Sequence, residues 1–446
     1  MQIWGCYWGY WTKRAFALFV LNCAFEPAPA RADDSNFRPY LVGGRAAGMG
    51  GAFTALSDDG SGSFYNPGGM AFSSRSSISL SGSVYGRVSI RYDDLFAPGD
   101  DFSGSSINTF PVSTAGVYKV GVTDPNTGTA NNTLFFGVFL PDAARIDDRD
   151  TVLDGVSKSN AFFLTQDSQT LWAGGGYARR FGRLGIGIVG FGTLTREITQ
   201  VDLNAVDPTD ASRFASITIR QDVTTVGLLG GVGLRYDPTE RLHLGLSVYS
   251  PSIGTGSRRY FARVLVGDNL TAPGQPAQAG VVARDDLDAS PASPLRISAG
   301  AAYSHGRWTF SADAMLLGPR HLVSNADLEA QGLDREILRR VVVNGSVGME
   351  YLARDRWSLR FGLFTDFAAS PKVTLDSPAN SQHVDRFGAS GSVGFRSQHV
   401  VTDLGFNVSY GRGQEYLPIN LDFSQPRAGQ VEQLLLYIFL STAYEF

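Results

Sequence analysis

Arg296 and Arg360 have the types and settings that could do chemistry in this chain. Arg296 lies between Leu295 and Ile297, and Arg360 between Leu359 and Phe361. In strands of alternating polarity both side chains therefore turn away from the apolar face. A guanidinium placed there can hold a ligand carboxylate through two hydrogen bonds. The competing reading is structural pairing with acids on the same face, such as Asp313, Glu350 or Asp366.

Other chemistries find little support. The five histidines (His243, His305, His321, His383, His399) form no His-x₃-His pair, and both cysteines, Cys6 and Cys23, precede the expected mature N-terminus. No metal site, cofactor or disulfide is therefore expected. No Gly-x-Ser-x-Gly elbow occurs, and a hydrolase triad drawn from distant strands would be recognisable only by its geometry. Gly48-Met-Gly50 matches only the first glycines of a dinucleotide loop, and no βα pattern follows it. Two acidic clusters, Asp147-Asp148-Arg149-Asp150 and Asp285-Asp286-Leu287-Asp288, are expected in or beside outer loops. They could hold divalent cations that bridge lipopolysaccharide, although a solvated loop is the plainer reading. No catalytic residue is expected.

The elements that must position these groups read as strands. Glycine makes up 52 of 446 residues and aromatics 12%, while charged residues reach only 18%, below the roughly 25% of ordinary globular domains. Mean hydropathy is nevertheless close to zero, and after the N-terminus no apolar run approaches the roughly 20 residues of a spanning helix. Period-two alternation recurs from Ser76 onward: Leu242, Leu244, Leu246 and Val248; Trp308, Phe310, Ala312, Ala314 and Leu316; Trp357, Leu359, Phe361 and Leu363; Leu404, Phe406, Val408 and Tyr410. Glycines and small polar residues occupy the opposite face, which suits a crowded barrel interior. The pattern implies an all-β protein, a transmembrane antiparallel β-barrel of about fourteen strands.

The connections strengthen this. Tight ones centre on Gly182-Arg183, 237–240, His305-Gly306, 353–355 and Ser397-Gln398, and they alternate with long ones near 205–212, 267–279, 318–335, 369–383 and 412–430. Outer-membrane barrels have short periplasmic turns and longer extracellular loops, and an even strand count returns both termini to the periplasm. The long segment Ser324 to Leu338 has a helix-like apolar side that would cap the outer mouth. The final strand ends at Phe446, with Tyr444 on the same face; this looks like the signal that the barrel-assembly machinery recognises.

Residues 1–32 read as an export signal. Lys13 and Arg14 precede the short apolar core Ala15 to Phe25, and Ala30-Arg31-Ala32 offers a cleavage site. Losing this leader moves the formal charge from −4 to −6, which favours no nucleic-acid partner. The domain reading is thus a signal peptide over 1–32, an N-terminal plug over 33–75 and a barrel over 76–446.

The plug carries the most specific motif. Gly43, Arg45, Ala46, Gly48, Met49, Gly50, Gly51, Ala52 and Phe53 are followed by Asp58-Asp59 and then Asn66-Pro67-Gly68. Dense glycine and alanine permit close backbone contact, and the Asp and Asn-Pro elements suggest turns. This pattern, after a leader and before a barrel, resembles the FadL/TodX family, outer-membrane transporters of long-chain fatty acids and other hydrophobic compounds. The resemblance implies fourteen strands, a hatch with an Asn-Pro-Ala element, capture of a hydrophobic ligand at the outer loops and its lateral exit through a kinked strand. Gly68 departs from the pattern by replacing the alanine. Gly137, inside the apolar Thr133 to Leu140, is the kink candidate. The expected partners are fatty acids or similar small molecules together with outer-membrane lipid and lipopolysaccharide. Secretion-associated barrels share a similar N-terminal signature, so a barrel that docks partner proteins is the alternative.

Overall fold

The computed structural model describes residues 36, 40–93, 101–108, 111–123, 130–154, 158–207, 210–266, 278–291, 293–322, 337–374, 382–417 and 427–446. The expected leader 1–32 and most of the expected helix-like segment 324–338 lie outside them.

The strands are β1 (Ser77–Tyr92), β2 (Phe102–Asn108), β3 (Pro111–Thr123), β4 (Ala130–Asp154), β5 (Lys158–Phe181), β6 (Leu184–Asp207), β7 (Asp210–Tyr236), β8 (Leu242–Tyr249), β9 (Ile253–Val266), β10 (Gln278–Ala289), β11 (Arg296–His305), β12 (Trp308–Leu317), β13 (Arg320–Leu322), β14 (Ile337–Arg339), β15 (Val342–Arg354), β16 (Trp357–Asp366), β17 (Gln382–Arg396), β18 (Val400–Leu417) and β19 (Arg427–Glu445). They form a closed antiparallel barrel of fourteen strands. Several barrel strands are interrupted, so that β2 and β3, β8 and β9, and β10 and β11 are halves of single strands. β13 and β14 are an outlying two-stranded extension of β12 and β15, three residues long. β1 closes the ring against β19, from Ser77 opposite Glu445 to Tyr92 opposite Val431.

Alternation sorts the side chains. On β16 Trp357, Leu359, Phe361 and Leu363 are exposed on the outer wall, while Ser358, Arg360 and Phe364 are buried inside. β12 and β18 do the same with Trp308 and Phe310, and with Leu404, Phe406 and Tyr410. An apolar exterior around a polar, filled interior is what a bilayer outside and a plug inside require. The tight turns all gather at one end, with Gly182 and Gly306 at φ +59 and +60.

Several expected loops are strand instead. The chain pairs through most of 205–212, because β6 runs to Asp207 and β7 begins at Asp210. Asp147–Asp150 sit in β4, opposite Thr165 to Phe162, and Asp285–Asp288 sit in β10. Ile337 and Leu338 belong to β14 rather than to a helix. β4 to β7 run 24 to 27 residues, far beyond the roughly 9–11 that cross a bilayer. In these extensions, and in β9 and β10 beside them, Val201, Ile217, Tyr260, Ala262 and Leu287 still bury an apolar face, so pairing continues past the span.

Candidate functional site

The hatch occupies the lumen at the level of the tight turns. It is built from short turns: a helical turn Gly44–Gly48, another at Gly62–Tyr65 and a 3₁₀ turn Gly69–Phe72. Gly50 and Gly51 have φ +68 and +75, a backbone region that side-chain-bearing residues rarely adopt. Met49, Ala52 and Phe53 are fully buried. Asp59 makes the expected Asx turn, accepting from the Ser61 amide at 2.9 Å and its hydroxyl at 2.6 Å. Burial raises the Asp59 carboxyl above its ordinary pKa.

The motif's Asn66-Pro67-Gly68 lies flat against the inner wall. Asn66 donates its amide to the carbonyls of Thr54 (2.8 Å) and Leu234 (2.9 Å), and its own oxygen accepts from Gly68 N at 3.0 Å. One side chain thus ties two hatch segments to β7. A Cβ at Gly68 would stand 2.5 Å from the Gly233 carbonyl oxygen, and one at Gly233 would stand 2.0 Å from Asn66 Oδ1. Gly185 and Gly187 on β6 face Gly68 and Pro67 equally closely. The departure from Asn-Pro-Ala therefore has a steric reason here, since wall and hatch backbones are in direct contact.

Ion pairs clamp the opposite side. Arg45 reaches Asp58 at 2.8 Å and Glu350 at 2.8 Å, and Arg360 bonds Glu350 at 2.7 Å and Asp403 at 2.6 Å. The carboxylate candidate Arg360 thus turns inward as its alternation required, but two wall acids hold its guanidinium. Asp313 Oδ2 accepts from the amides of Phe53 (2.8 Å) and Thr54 (2.7 Å), and Ser390 Oγ accepts from Gly50 N at 2.9 Å. Between hatch and wall at the tight-turn end, a cleft of about 430 Å³ is lined by charged residues including Arg45, Asp58 and Arg356.

On the other side of the hatch lies a partly open cavity of about 140 Å³. Its walls are mostly apolar: Tyr40, Leu41, Phe64, Tyr65, Trp172, Pro294, Met315 and Leu317, with Arg296, Asp313 and Glu197 among the polar groups. Phe64 of the hatch packs against Phe139 (5.7 Å between centroids) and Trp172 (5.4 Å), which in turn touch Phe191. Arg296 lies over Tyr249 at 4.2 Å and over Phe64 at 4.4 Å, and donates to the Phe64 carbonyl at 2.5 Å. Cation–π contact of this kind is favourable when the cation is desolvated. Of the two arginines singled out by alternation, only Arg296 reaches this cavity.

Gly137, the kink candidate, pairs in regular register between Ala115 and Gly174, and the register shift in β4 falls between Phe139 and Asp142, at Pro141. A prolyl nitrogen cannot donate to the ladder, so the bulge belongs there. Gly137 instead leaves room for the Phe139 ring, 2.4 Å from where its Cβ would be. The aromatic cavity wall was not foreseen from sequence, although the inward parity of Phe135, Phe139, Trp172 and Phe191 carried the signal. Arg45 was part of the motif, but its clamp on Glu350 required two residues 305 positions apart. Among the described residues no cluster of metal-binding side chains occurs.

No family model and no curated protein matches the chain. Solved structures do. A FadL homologue of Pseudomonas aeruginosa aligns over 92% of this chain and all of its own length, with TM-score 0.62 and 15% identity. The toluene transporter TodX of P. putida aligns over 91% of this chain and 99% of its own, with TM-score 0.59 and 13% identity. The toluene transporter TbuX of Ralstonia pickettii aligns over 91% and 98%, with TM-score 0.58 and 14% identity. At these identities the likeness speaks for architecture: the chain has the fold of the FadL and TodX barrels, fourteen strands closed around an N-terminal hatch.

Proposed function

We propose that the protein is a FadL/TodX-type channel of a bacterial outer membrane, exported by the signal peptide 1–32, through which hydrophobic compounds cross passively and without covalent chemistry. The observation that carries this reading is the mostly apolar, aromatic-lined cavity lying directly against the hatch. A water-filled pore offers an apolar molecule no favourable path, whereas burial in such a cavity is worth about 25 cal/mol per Å² of apolar surface. The three neighbours named above, a FadL homologue and two toluene transporters, support the same reading.

Size narrows the ligand. A dry cavity of about 150 Å³ accommodates benzene, while pockets for larger ligands run to about 300–1,000 Å³. At about 140 Å³ the cavity fits a single ring or a short chain, and a long-chain fatty acid would need further space opened by hatch movement. Arg296 is the residue positioned to meet a polar or anionic end.

The test is uptake of radiolabelled toluene and radiolabelled oleate by a Gram-negative host lacking its own hydrophobic-compound channel, with and without this gene. Toluene uptake is expected to rise several-fold and oleate uptake less. Equal uptake of both probes with and without surface-expressed protein rejects the channel.

A further inference from the structure

We propose that the tight-turn rim of the barrel is a binding ring for anionic phospholipids, whose phosphates in the periplasmic leaflet are held by arginines on successive turns. This inference rests on the outer-membrane reading above, which places the tight turns in the periplasm.

The chain is acidic, with a formal charge of −4, yet this end of it is basic. Arg183, Arg241, Arg307, Arg354 and Arg356 are exposed on or beside the tight turns, and the exposed acids on the same turns are Glu240 and Asp355. None of these five guanidiniums forms an ion pair among the described residues. Arg75 and Arg396, by contrast, share Glu445 at 3.3 and 3.4 Å. Arg183 donates to the Pro238 carbonyl at 2.5 Å and Arg307 to the Ala353 carbonyl at 3.1 Å. Those backbone contacts hold both side chains at the rim without neutralising them.

Aromatic rings mark the level at which these charges stand. Phe181, Tyr236, Trp308 and Trp357 are exposed on the outer wall close along the chain to the arginines. Trp308 packs on Tyr351 at 4.4 Å and Trp357 on Phe395 at 5.0 Å between centroids, which joins them into a belt. Such belts sit at the headgroup level of a bilayer. A guanidinium beside one reaches lipid phosphate, and its planar fork can hold that group through two hydrogen bonds.

The distribution of the arginines selects lipid over protein. They occupy four successive turns at this end, β5–β6, β7–β8, β11–β12 and β15–β16, and so spread round about half of the ring. Successive turns lie about 10 Å apart, twice the strand spacing of about 4.8 Å, close to the spacing of headgroups. An acidic protein face would need its cations gathered on one side, whereas lipids surround the barrel. Because the guanidiniums lack acid partners, they favour lipids whose phosphate carries no compensating ammonium. Lipopolysaccharide lies in the opposite leaflet, at the other end of the wall.

Trp308 and Trp357 adjoin Arg307 and Arg356 and report on the lipid beside them. The protein purified from host outer membranes is reconstituted into phosphatidylcholine vesicles. These contain equal fractions of brominated phosphatidylglycerol or of brominated phosphatidylcholine, and quenching of tryptophan fluorescence is read. Phosphatidylglycerol is expected to be enriched about threefold at the wall, falling to parity in about 1 M salt. Arg307→Gln/Arg354→Gln/Arg356→Gln should lose the preference, and Arg263→Gln, exposed toward the far end of β9, should keep it. The salt series decides the same question without any substitution. Equal quenching by the two lipids overturns the ring, leaving an acidic protein as the rim's partner and the barrel standing. A preference that survives both salt and the triple substitution also overturns it. Failure of the unsubstituted protein to insert into either vesicle overturns the ring and the outer-membrane reading together.

Discussion

The two sides of the hatch are built by opposite physics. Toward the tight turns it meets the wall through ion pairs, amide–carboxylate bonds and glycine-to-backbone contact. Toward the far end it meets an aromatic cluster, a cavity and strands broken by proline. Directional, desolvated polar contacts specify one geometry and penalise partial separation. Apolar contact is non-directional and tolerates rearrangement around a space. The plug is thus pinned at the tight-turn side, while its far side has contacts that can rearrange.

Substitutions at the pinned side should therefore cost most. Glu350→Ala leaves Arg45 and Arg360 buried beside a missing carboxylate, and breaking a buried pair costs about 3–5 kcal/mol. The expected outcome is a clear fall in the thermal midpoint of the detergent-solubilised barrel; an unchanged midpoint would show that the clamp contributes little. Asn66→Ala should come next, at about 1–3 kcal/mol for each carbonyl left unsatisfied. Its sharper readout is ion leakage in planar bilayers, which should increase as the hatch loosens from β7. If leakage stays at the unsubstituted level, Asn66 is not the tie.

The far side should respond in selectivity more than in stability. Trp172→Ala enlarges the cavity beside Phe64 and Phe191 and should shift relative uptake from toluene toward longer chains about tenfold, equivalent to about 1.4 kcal/mol. Competition between labelled toluene and oleate measures this, and a constant ratio would separate the cavity from the transport path. The smallest effect belongs to the exposed rim at the tight-turn end. Arg75 pairs with Glu445 at 3.3 Å while half exposed, so Arg75→Ala should change stability by less than about 1 kcal/mol. A larger loss in a denaturation series would mean that the β1–β19 closure leans on this pair.

Much of the barrel was legible because its side chains face only two environments. Trp357, Leu359 and Phe361 against Ser358 and Arg360 declare the outer and inner faces at a period of two, and the tight turns at Gly182 and Gly306 set the strand parity. The extended hairpins β4 to β7 were not legible. Asp147–Asp150 look like loop because a run of acids carries no apolar alternation, while their backbone still pairs. The register shift in β4 falls about four residues beyond Gly137, at Pro141, because glycine and proline both interrupt strands and only pairing register shows which one did.

The amino-acid sequence by itself determined the strand alternation, the turn parity, the glycine-rich motif of the hatch and the inward direction of Arg296 and Arg360. Each of these depends on neighbours a few residues apart, where backbone geometry alone decides the outcome. Only the tertiary structure decided that Arg360 is held by Glu350 and Asp403 while Arg296 meets the cavity, and that Gly68 abuts Gly233. Those outcomes depend on closing the sheet into a ring around the hatch, which sets contacts between groups from 10 to 232 positions apart that no local pattern encodes.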